Sequence, residues 1–162
     1  MATRRSPTKR RPTPKPKPRK RVRRKSSAPP PAPRVKRQPV DPSEVHLVEG
    51  KGTSERGGGP GGHYWHIQVR ERRVGHIFIN WIYEEPYGAH ASVQIHLNQS
   101  ERGKQIGRVA YRLACEQSSY DAVYAHMRRS NTASRRAAEE AGFKEIDDSQ
   151  IQLTMVWHRK TP

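Results

Sequence analysis

Residues 92–114, SVQIHLNQSERGKQIGRVAYRLA, form the stretch that decides the fold. The first part alternates, with Val93, Ile95 and Leu97 on one side and polar residues on the other, which predicts a half-buried strand. In the last part, apolar residues recur at helical spacing from Ile106 onward, which predicts a helix. The stretch therefore predicts a strand, a turn and a helix in succession.

The turn, residues 102–107 (RGKQIG), is basic and carries glycine at both 103 and 107. The helix is predicted to begin near Gln105, so the turn would lie at its N-terminus. A turn of this kind leaves several backbone N–H groups unpaired, and the positive end of the helix dipole lies behind them. These groups form a ready site for an anion, and phosphate is the obvious one.

Two sequence motifs carry a family resemblance. RGKQIG resembles the pyrophosphate loop of the GNAT acetyltransferase family, whose pattern is Arg/Gln-x-x-Gly-x-Gly/Ala between a strand and a helix. Arg102 and Gly107 match this pattern, whereas Gln105 stands where the central glycine usually lies. Residues 131–143, NTASRRAAEEAGF, resemble the second signature of the family, an Asn that opens a helix ending in Gly-Phe. The resemblance covers residues 44–159.

The resemblance implies acetyl-CoA as cofactor, held where the strand before the turn splays from the strand after its helix. Backbone groups on the first of these strands would bind the pantetheine arm, and the turn would bind the pyrophosphate. We expect Gln105 to be tolerated because it would have helix-compatible backbone angles. Asn131 would both cap the second helix and bond the pantetheine arm. The predicted cofactor-binding residues are Ile95, Leu97, Arg102, Gly103, Lys104, Gln105, Ile106, Gly107, Arg108, Asn131 and Ser134.

Acetyl transfer to an amine needs a base, an oxyanion donor and a proton for the leaving thiolate. In some family members a Glu lies five residues before the helix-opening Asn, and here that position is His126, whose unperturbed pKa of about 6.5 suits a base. The other candidates for the base are His90, His96 and Glu85. The family's oxyanion donor is a backbone N–H, and its usual acid, a Tyr, is replaced here by Ala138.

The rest of the chain predicts an α/β fold with a mixed, mostly antiparallel sheet of six to seven strands and two main helices. Residues 63–70 and 74–82 alternate as strands, with Trp65 inward on the first and Ile77, Ile79 and Trp81 inward on the second, around a turn at 71–73. Residues 50–62 (GKGTSERGGGPGG) predict a flexible loop. The family places two helices there, so the acceptor side is left undefined, and it is open to a bulky or macromolecular amine.

Charge divides the chain into two parts. Residues 1–40 hold 16 Lys/Arg and no acidic residue, whereas residues 41–162 hold 16 Lys/Arg against 15 Asp/Glu. Eleven of the 14 prolines also precede residue 43. A segment with such charge and few apolar residues cannot offset its ordering entropy, so residues 1–42 are predicted to be disordered and residues 43–162 to form the folded domain.

The basic segment predicts a nucleic-acid partner. Residues 4–37 form an extended polycation that would bind without sequence specificity through counterion release. Because no aromatic residue interrupts the segment, base stacking is not expected. A solubilising tail, or one that adheres to any polyanion, is the alternative.

The single cysteine, Cys115, rules out an internal disulfide and indicates a reducing compartment. The sequence contains no apolar run of transmembrane length and no signal peptide, so a cytoplasmic protein without a membrane partner is predicted. No metal site is predicted, and an oligomer is possible but not predicted.

These observations predict an acetyl-CoA-dependent N-acetyltransferase that acts on a primary amine. Two alternatives stay open. The chain could be a non-catalytic, nucleic-acid-associated binding protein on a degenerate acetyltransferase scaffold, with Gln105 and Ala138 as traces of lost catalysis. Alternatively, the basic segment could itself be the acceptor, at one of its lysines.

Overall fold

The structure is a computed structural model and describes residues 37–147 and 152–160. Within these residues, a seven-stranded sheet carries two helices, which confirms the predicted fold class. The disorder and nucleic-acid predictions for the basic segment lie outside the described residues, apart from its last few positions. The elements are β1 (Val45–Glu49), β2 (His63–Val69), β3 (Arg72–Glu84), β4 (Gly88–Leu97), α1 (Ile106–Gln117), β5 (Ala122–Arg128), α2 (Thr132–Glu140), β6 (Lys144–Asp147) and β7 (Gln152–His158).

The sheet has the strand order β1-β2-β3-β4-β5-β7-β6. Strands β1 to β4 form an antiparallel meander, and the crossover through α1 makes β4 and β5 a parallel pair. Strand β7 then inserts between β5 and β6 and pairs antiparallel with both. The predicted strand-helix-strand crossover and the final hairpin are both present.

The turn between β2 and β3 lies one residue earlier than predicted. Val69 pairs with Arg72, so only Arg70 and Glu71 form the connection. Both have positive φ, 48° and 67°, as the two central residues of a type I′ turn require. Glycine or asparagine normally marks such a turn, and neither is present at residues 70–71, so the turn type was not predictable from them.

The core lies between one face of the sheet and the two helices. Trp65 and Ile67 of β2 point into it, and so do Ile77 and Ile79 of β3, for which this was predicted. Trp81 was also predicted to be inward, and this is wrong, because its side chain is 51% exposed. Burial along β3 falls off after Ile79, and the Trp81 ring stacks on Tyr120 at the rim of the core.

Residues 50–62 contain no helix, although this is the segment in which the family places two helices. The segment is held by defined hydrogen bonds. Asn80 accepts from the Gly57 N–H at 2.7 Å and donates to the Glu55 carbonyl at 2.7 Å, and the Tyr120 hydroxyl donates to the Gly61 carbonyl. Composition predicted a flexible loop, whereas the structure shows one anchored to β3.

The helices of the described residues are short. The longer of the two, α1, has 12 residues. No helix in this part of the chain is long and apolar enough to cross a lipid bilayer.

Candidate active site

The sheet opens between β4 and β5. Their parallel pairing consists of Ala91 with Val123 and Ser92 with Tyr124. Both strands continue past this point, β4 to Leu97 and β5 to Arg128, without further pairing to each other. Residues 93–97 therefore have β3 on one side and an open cleft on the other. The predicted splaying of these two strands is present in the structure.

A cavity of about 560 Å³ fills this cleft on the helix side of the sheet. Its walls are the end of β4, the turn before α1, the first turns of α1 and one side of α2. The lining residues are Ile95, His96, Leu97, Arg102, Gly103, Gln105, Ile106, Gly107, Arg108, Tyr111, Asn131, Ala133, Ser134, Arg136, Ala137 and Glu140. The structure thus brings together every predicted cofactor-binding residue except Lys104.

The turn into α1 depends on two residues with left-handed backbone. Gly103 has φ +80°, and no atom lies within 4 Å of where a Cβ would project. Gln105, the N-cap of α1, has φ 62° and ψ 12°. The expectation of helix-compatible angles at Gln105 is therefore wrong. The turn needs a left-handed residue where the family pattern has glycine, and here a glutamine adopts that conformation at a cost of about 1–2 kcal/mol.

We expect Gln105→Gly to be at least as stable as the native chain and about 1 kcal/mol more stable than Gln105→Ala. Glycine relieves the left-handed strain, whereas alanine keeps the strain and loses the glutamine side chain. Urea unfolding of the three proteins measures the difference. A Gln105→Ala variant as stable as Gln105→Gly would show that the turn is not strained.

Glu101 anchors the base of this turn. Its carboxylate is nearly fully buried and accepts bonds from Arg72 and Lys104, both at 2.9 Å, and from Ser100 at 3.1 Å. The hydrogen bond from Lys104 is the main cause of a lowered Glu101 pKa, with burial opposing it and Arg72 reinforcing it. Lys104 was predicted to face the cofactor, but its ammonium group is directed at Glu101, and the residue is not part of the cavity wall.

Glu101→Gln is expected to destabilise the protein by about 1–3 kcal/mol at pH 7, because two cationic partners lose their buried acceptor. The lowered pKa makes the native contribution fully present above the pKa of an unfolded Glu, about 4.3, and lost as the pH falls through the folded value. Urea unfolding at a series of pH values should give a smaller acid-induced loss in the variant. Parallel curves for the two proteins would contradict this role.

The turn is also held from outside by the residues that precede the sheet. Arg37 donates to the carbonyls of Gln99 and Arg102, both at 2.8 Å, and the Val40 N–H donates to the Lys104 carbonyl at 3.0 Å. These contacts lie N-terminal to the predicted domain boundary at residue 43. The end of the basic segment therefore supports the turn.

The second helix supplies the other wall of the cavity. Asn131 caps α2 by accepting from the Ser134 N–H at 3.3 Å, so the predicted cap is present. The Ser134 hydroxyl bonds that of Tyr111, a cavity residue that sequence reasoning treated as packing. Burial raises the pKa of Tyr111, which keeps this phenol neutral. Ala138 is fully buried, so the family's acid position contributes only packing here.

Gly107 lies where the walls of the cleft are close together. A Cβ at this position would lie 3.3 Å from the Ala137 Cβ of α2 and 4.0 Å from the terminal methyl groups of Ile95 and Leu97 of β4. A larger side chain would therefore project between the strand wall and the helix wall, into the space that a ligand would occupy.

A cluster of titratable residues lies on the opposite face of the sheet. Because neighbouring β5 residues Val123, Ala125 and Met127 enter the helix-side core, His126 faces away from the helices. Its Nε2 lies 2.9 Å from the Nε2 of His90 and 3.8 Å from a carboxylate oxygen of Glu84. The structure thus joins two of the predicted catalytic histidines.

The hydrogen-bond partners fix the protons of this pair. The Nδ1 of His90 must donate to the Gly88 carbonyl, 2.8 Å away, which leaves its Nε2 as an acceptor when the ring is neutral. The Nδ1 of His126 lies 3.3 Å from the Thr154 hydroxyl, which can donate or accept. A single proton shared between the two Nε2 atoms, with both Nδ1 atoms donating, satisfies all four ring nitrogens. The neutral pair is one proton short of that state.

Burial is the main cause of a lowered pKa at His126, with the carboxylate of Glu84 opposing it and His90 adding to it. The lowered pKa keeps the imidazole of His126 neutral near pH 7, which is the form that can accept a proton. Glu84 and Thr154 are neighbours of His126 that sequence reasoning missed. The β5–β7 register, which pairs His126 with Thr154, is a tertiary property.

The other two predicted base candidates lie outside this cluster, and His96 is part of the cavity wall. The exposed His96 ring stacks on that of His76, its cross-strand neighbour, with 5.2 Å between centroids. Glu85 is exposed and accepts from the Tyr83 hydroxyl at 2.5 Å. The adjacent Glu84, and not Glu85, is the carboxylate beside the histidine pair.

The sequence can be compared with known families at this point. The model of the family described as the acetyltransferase (GNAT) domain matches residues 32–144, most of the chain. The chain belongs to the GNAT family. The resemblance found in the two motifs is thereby confirmed. No curated protein sequence gives a significant match.

Solved structures show the same GNAT fold. A domain from Methanocaldococcus jannaschii has a TM-score of 0.51 at 20% identity over 62% of this chain and 68% of its own. AAC(6′)-Ib in complex with paromomycin and acetyl-CoA has a TM-score of 0.53 at 16% sequence identity, over 61% of this chain and 66% of its own. Mycobacterium smegmatis RimJ in complex with CoA-disulfide has a TM-score of 0.50 at 19% sequence identity, over 60% of this chain and 53% of its own. The chain therefore spans about half to two thirds of the length of these proteins.

Two of these GNAT structures contain the predicted cofactor or a derivative of coenzyme A. Acetyl-CoA is thus the cofactor that the family uses. At such low identity the likeness establishes the fold, and it leaves the acceptor of this chain to be argued from its own residues.

Proposed function

We propose that this GNAT protein is an acetyl-CoA-dependent N-acetyltransferase that acts on a primary amine. The observation that carries the proposal is the cleft between β4 and β5, which opens at the N-terminus of α1. In this one place the chain combines a strand edge that does not pair with β5, a turn with a left-handed glycine, and a cavity of about 560 Å³.

The residues of the cleft fit the two ends of acetyl-CoA. The amides of residues 103–108 and the guanidinium groups of Arg102 and Arg108 suit a diphosphate, because the helix dipole and these two side chains are positive there. The diphosphate would compete with two existing partners, the Leu97 carbonyl, to which Arg102 donates at 3.2 Å, and the Glu140 carboxylate, to which Arg108 donates at 3.3 Å. The edge of β4 that faces the cleft suits the amides of the pantetheine arm, with Asn131 in the same cavity wall. When bound, the cofactor supplies an acetyl group activated as a thioester.

The acceptor amine would approach from the opposite face of the sheet. His126 lies there, two residues after Tyr124, the last residue of β5 that pairs with β4. An amine must lose a proton before it can attack a carbonyl carbon. The His90–His126 pair would take that proton and share it between its Nε2 atoms, while the Gly88 carbonyl and the Thr154 hydroxyl accept from the Nδ1 atoms. Burial lowers the pKa of His126, which favours its neutral, proton-accepting state.

The acceptor class follows from what covers this face. In place of two helices, the described residues have the anchored loop 50–62, so the face is not roofed by a closed pocket. A flat, open approach suits an amine carried on a macromolecule better than a small free amine. We propose a lysine or an N-terminal amine of a protein as the acceptor.

The basic segment supports a location near nucleic acid. Its 16 Lys/Arg without acidic residues would bind phosphates through counterion release. Filter binding of the full chain to duplex DNA is expected to weaken steeply with salt and to show little dependence on DNA sequence. Binding that is insensitive to salt would count against this part of the proposal.

The alternative is a binding protein that has lost catalysis. The observations in its favour are the buried Ala138 at the acid position and the strained Gln105 in the phosphate turn. The histidine pair favours the enzyme, since a scaffold without chemistry has no need for two buried imidazoles that share one proton site.

The proposal is tested by the release of CoA from acetyl-CoA with basic peptides, polyamines and aminoglycosides as acceptors. Thermal unfolding with acetyl-CoA is the companion measurement, because a ligand at 100 times its Kd stabilises by about 2.7 kcal/mol. Peptide-dependent release with a raised Tm is the expected result. A raised Tm without turnover on any amine would support the binding protein, and no change in Tm would overturn both.

A further inference from the structure

The residues Glu84, His90 and His126 form a group whose ligand atoms all lie within 4.8 Å of one another. We propose that these three residues, the histidine–glutamate cluster, bind a divalent transition-metal cation such as Zn²⁺. The second half of the proposal, that the bound cation inhibits acetyl transfer, depends on the function proposed above.

The donor set suits such a cation. Two imidazoles and one carboxylate are common protein ligands of zinc and of other first-row divalent metals. In a tetrahedral zinc site with bonds of about 2.0–2.2 Å, neighbouring ligand atoms lie about 3.3–3.5 Å apart. The two Nε2 atoms are 2.9 Å apart, the His126–Glu84 pair is 3.8 Å apart, and all three ligand atoms lie within 4.8 Å of one another. Side-chain shifts of about 1 Å therefore produce the required spacing.

The groups around the cluster already orient both imidazoles as ligands. A metal-bound histidine normally donates its other N–H to a carbonyl or a polar group, which fixes the tautomer that offers the lone pair. The Gly88 carbonyl does this for His90 at 2.8 Å, and the Thr154 hydroxyl can do so for His126 at 3.3 Å. With both Nδ1 atoms donating, both Nε2 lone pairs point at one spot, which a proton or a cation must occupy.

Burial and access are also suitable. The side chains of His90 and His126 are largely buried, so their positions are set by packing, while the Glu84 side chain is 44% exposed. Glu84 brings a negative charge to the edge of the cluster, where a cation can enter from solvent. Three protein ligands leave the fourth position for water.

The consequence follows from the shared position. The cation takes the same two lone pairs that would receive the proton of the acceptor amine, so occupancy removes the base. The site would therefore couple the concentration of a free transition metal to the rate of acetyl transfer, with no effect on the binding of acetyl-CoA on the other side of the sheet.

The test is calorimetric titration of Zn²⁺ into the metal-free full chain without acetyl-CoA or acceptor. Visible absorption of the Co²⁺ form then reports the coordination geometry. His90→Ala, His126→Ala and the more exposed Glu84→Gln remove one ligand each, and circular dichroism checks that each variant is folded. His96→Ala is the matched control, because it removes an exposed histidine that stacks on another histidine outside the cluster.

We expect one equivalent of Zn²⁺ per chain, a four-coordinate Co²⁺ spectrum, and unchanged affinity in His96→Ala. Affinity should fall at least about tenfold in each of the three ligand variants. Native affinity in folded Glu84→Gln and His90→Ala, or loss in His96→Ala, would overturn the site. Because Zn²⁺ binding is measured without acetyl-CoA or acceptor, its result does not depend on whether the chain is a transferase. If the chain binds zinc and transfers acetyl groups at an unchanged rate, the site holds and the inhibition is wrong.

Discussion

His126→Gln is expected to lower kcat for acetyl transfer by about 10²–10⁴-fold while the affinity for acetyl-CoA stays within a factor of about three. Glutamine keeps a polar group of similar reach but cannot accept the proton that the amine must lose. The cofactor cavity lies on the helix side of the sheet, and His126 is not part of its wall. The measurement is steady-state CoA release with the best acceptor, together with calorimetric titration of acetyl-CoA.

The matched control is His46→Gln, which changes an exposed histidine on β1, at the far edge of the sheet. It should leave kcat unchanged. His90→Gln is expected to give a smaller loss than His126→Gln, since His90 shares the proton that His126 receives. If His126→Gln keeps full activity and His96→Gln loses it, the base is His96, and the assignment to the buried pair is wrong.

Gly107→Val is expected to weaken acetyl-CoA binding at least about 100-fold, which corresponds to about 2.8 kcal/mol. The new side chain would project between Ala137 on one wall and Ile95 and Leu97 on the other. Even a single Cβ at this position would lie 3.3 Å from the Ala137 Cβ and 4.0 Å from the two terminal methyl groups. Valine would therefore fill the cleft here. Calorimetric titration of acetyl-CoA measures the loss.

A crowded core position also carries a cost in stability, about 1–3 kcal/mol for added methyl groups. Urea unfolding without ligand separates this cost from the loss of binding. The control is Arg112→Ala, which removes a half-exposed side chain from the same helix and should bind acetyl-CoA normally. A folded Gly107→Val protein with native affinity would show that the cofactor does not pass between β4 and α2.

Much of the architecture was predictable from local patterns. Residues 92–114 gave the strand, the turn and the helix because the periodicity changes from two to 3.6 within a short stretch, and Asn131 gave the start of α2 because its side chain caps it. The predicted cofactor residues line one cavity, apart from Lys104, for the same reason. They belong to two continuous segments, and sequence order places them on adjoining elements.

What failed depended on long-range register or on strain. The pairing of His126 with Thr154 and its contact with Glu84 are set by how β3, β4 and β5 align, which no local pattern encodes. Glu84 and Glu85 are adjacent acidic residues, and only the packing of the strands decides which carboxylate lies beside the histidine pair. Gln105 was expected to have helix-compatible angles, whereas the geometry of the turn imposes a φ of 62° that glutamine rarely adopts.

The most direct test of the account is an amide NMR titration of the full chain with acetyl-CoA. Binding of the diphosphate at the turn before α1 predicts that the largest shifts occur at the amides of residues 103–108, followed by residues 93–97 on the free edge of β4. Shifts that avoid both segments, or unchanged spectra at saturating acetyl-CoA, would contradict the proposed site and with it the proposed reaction.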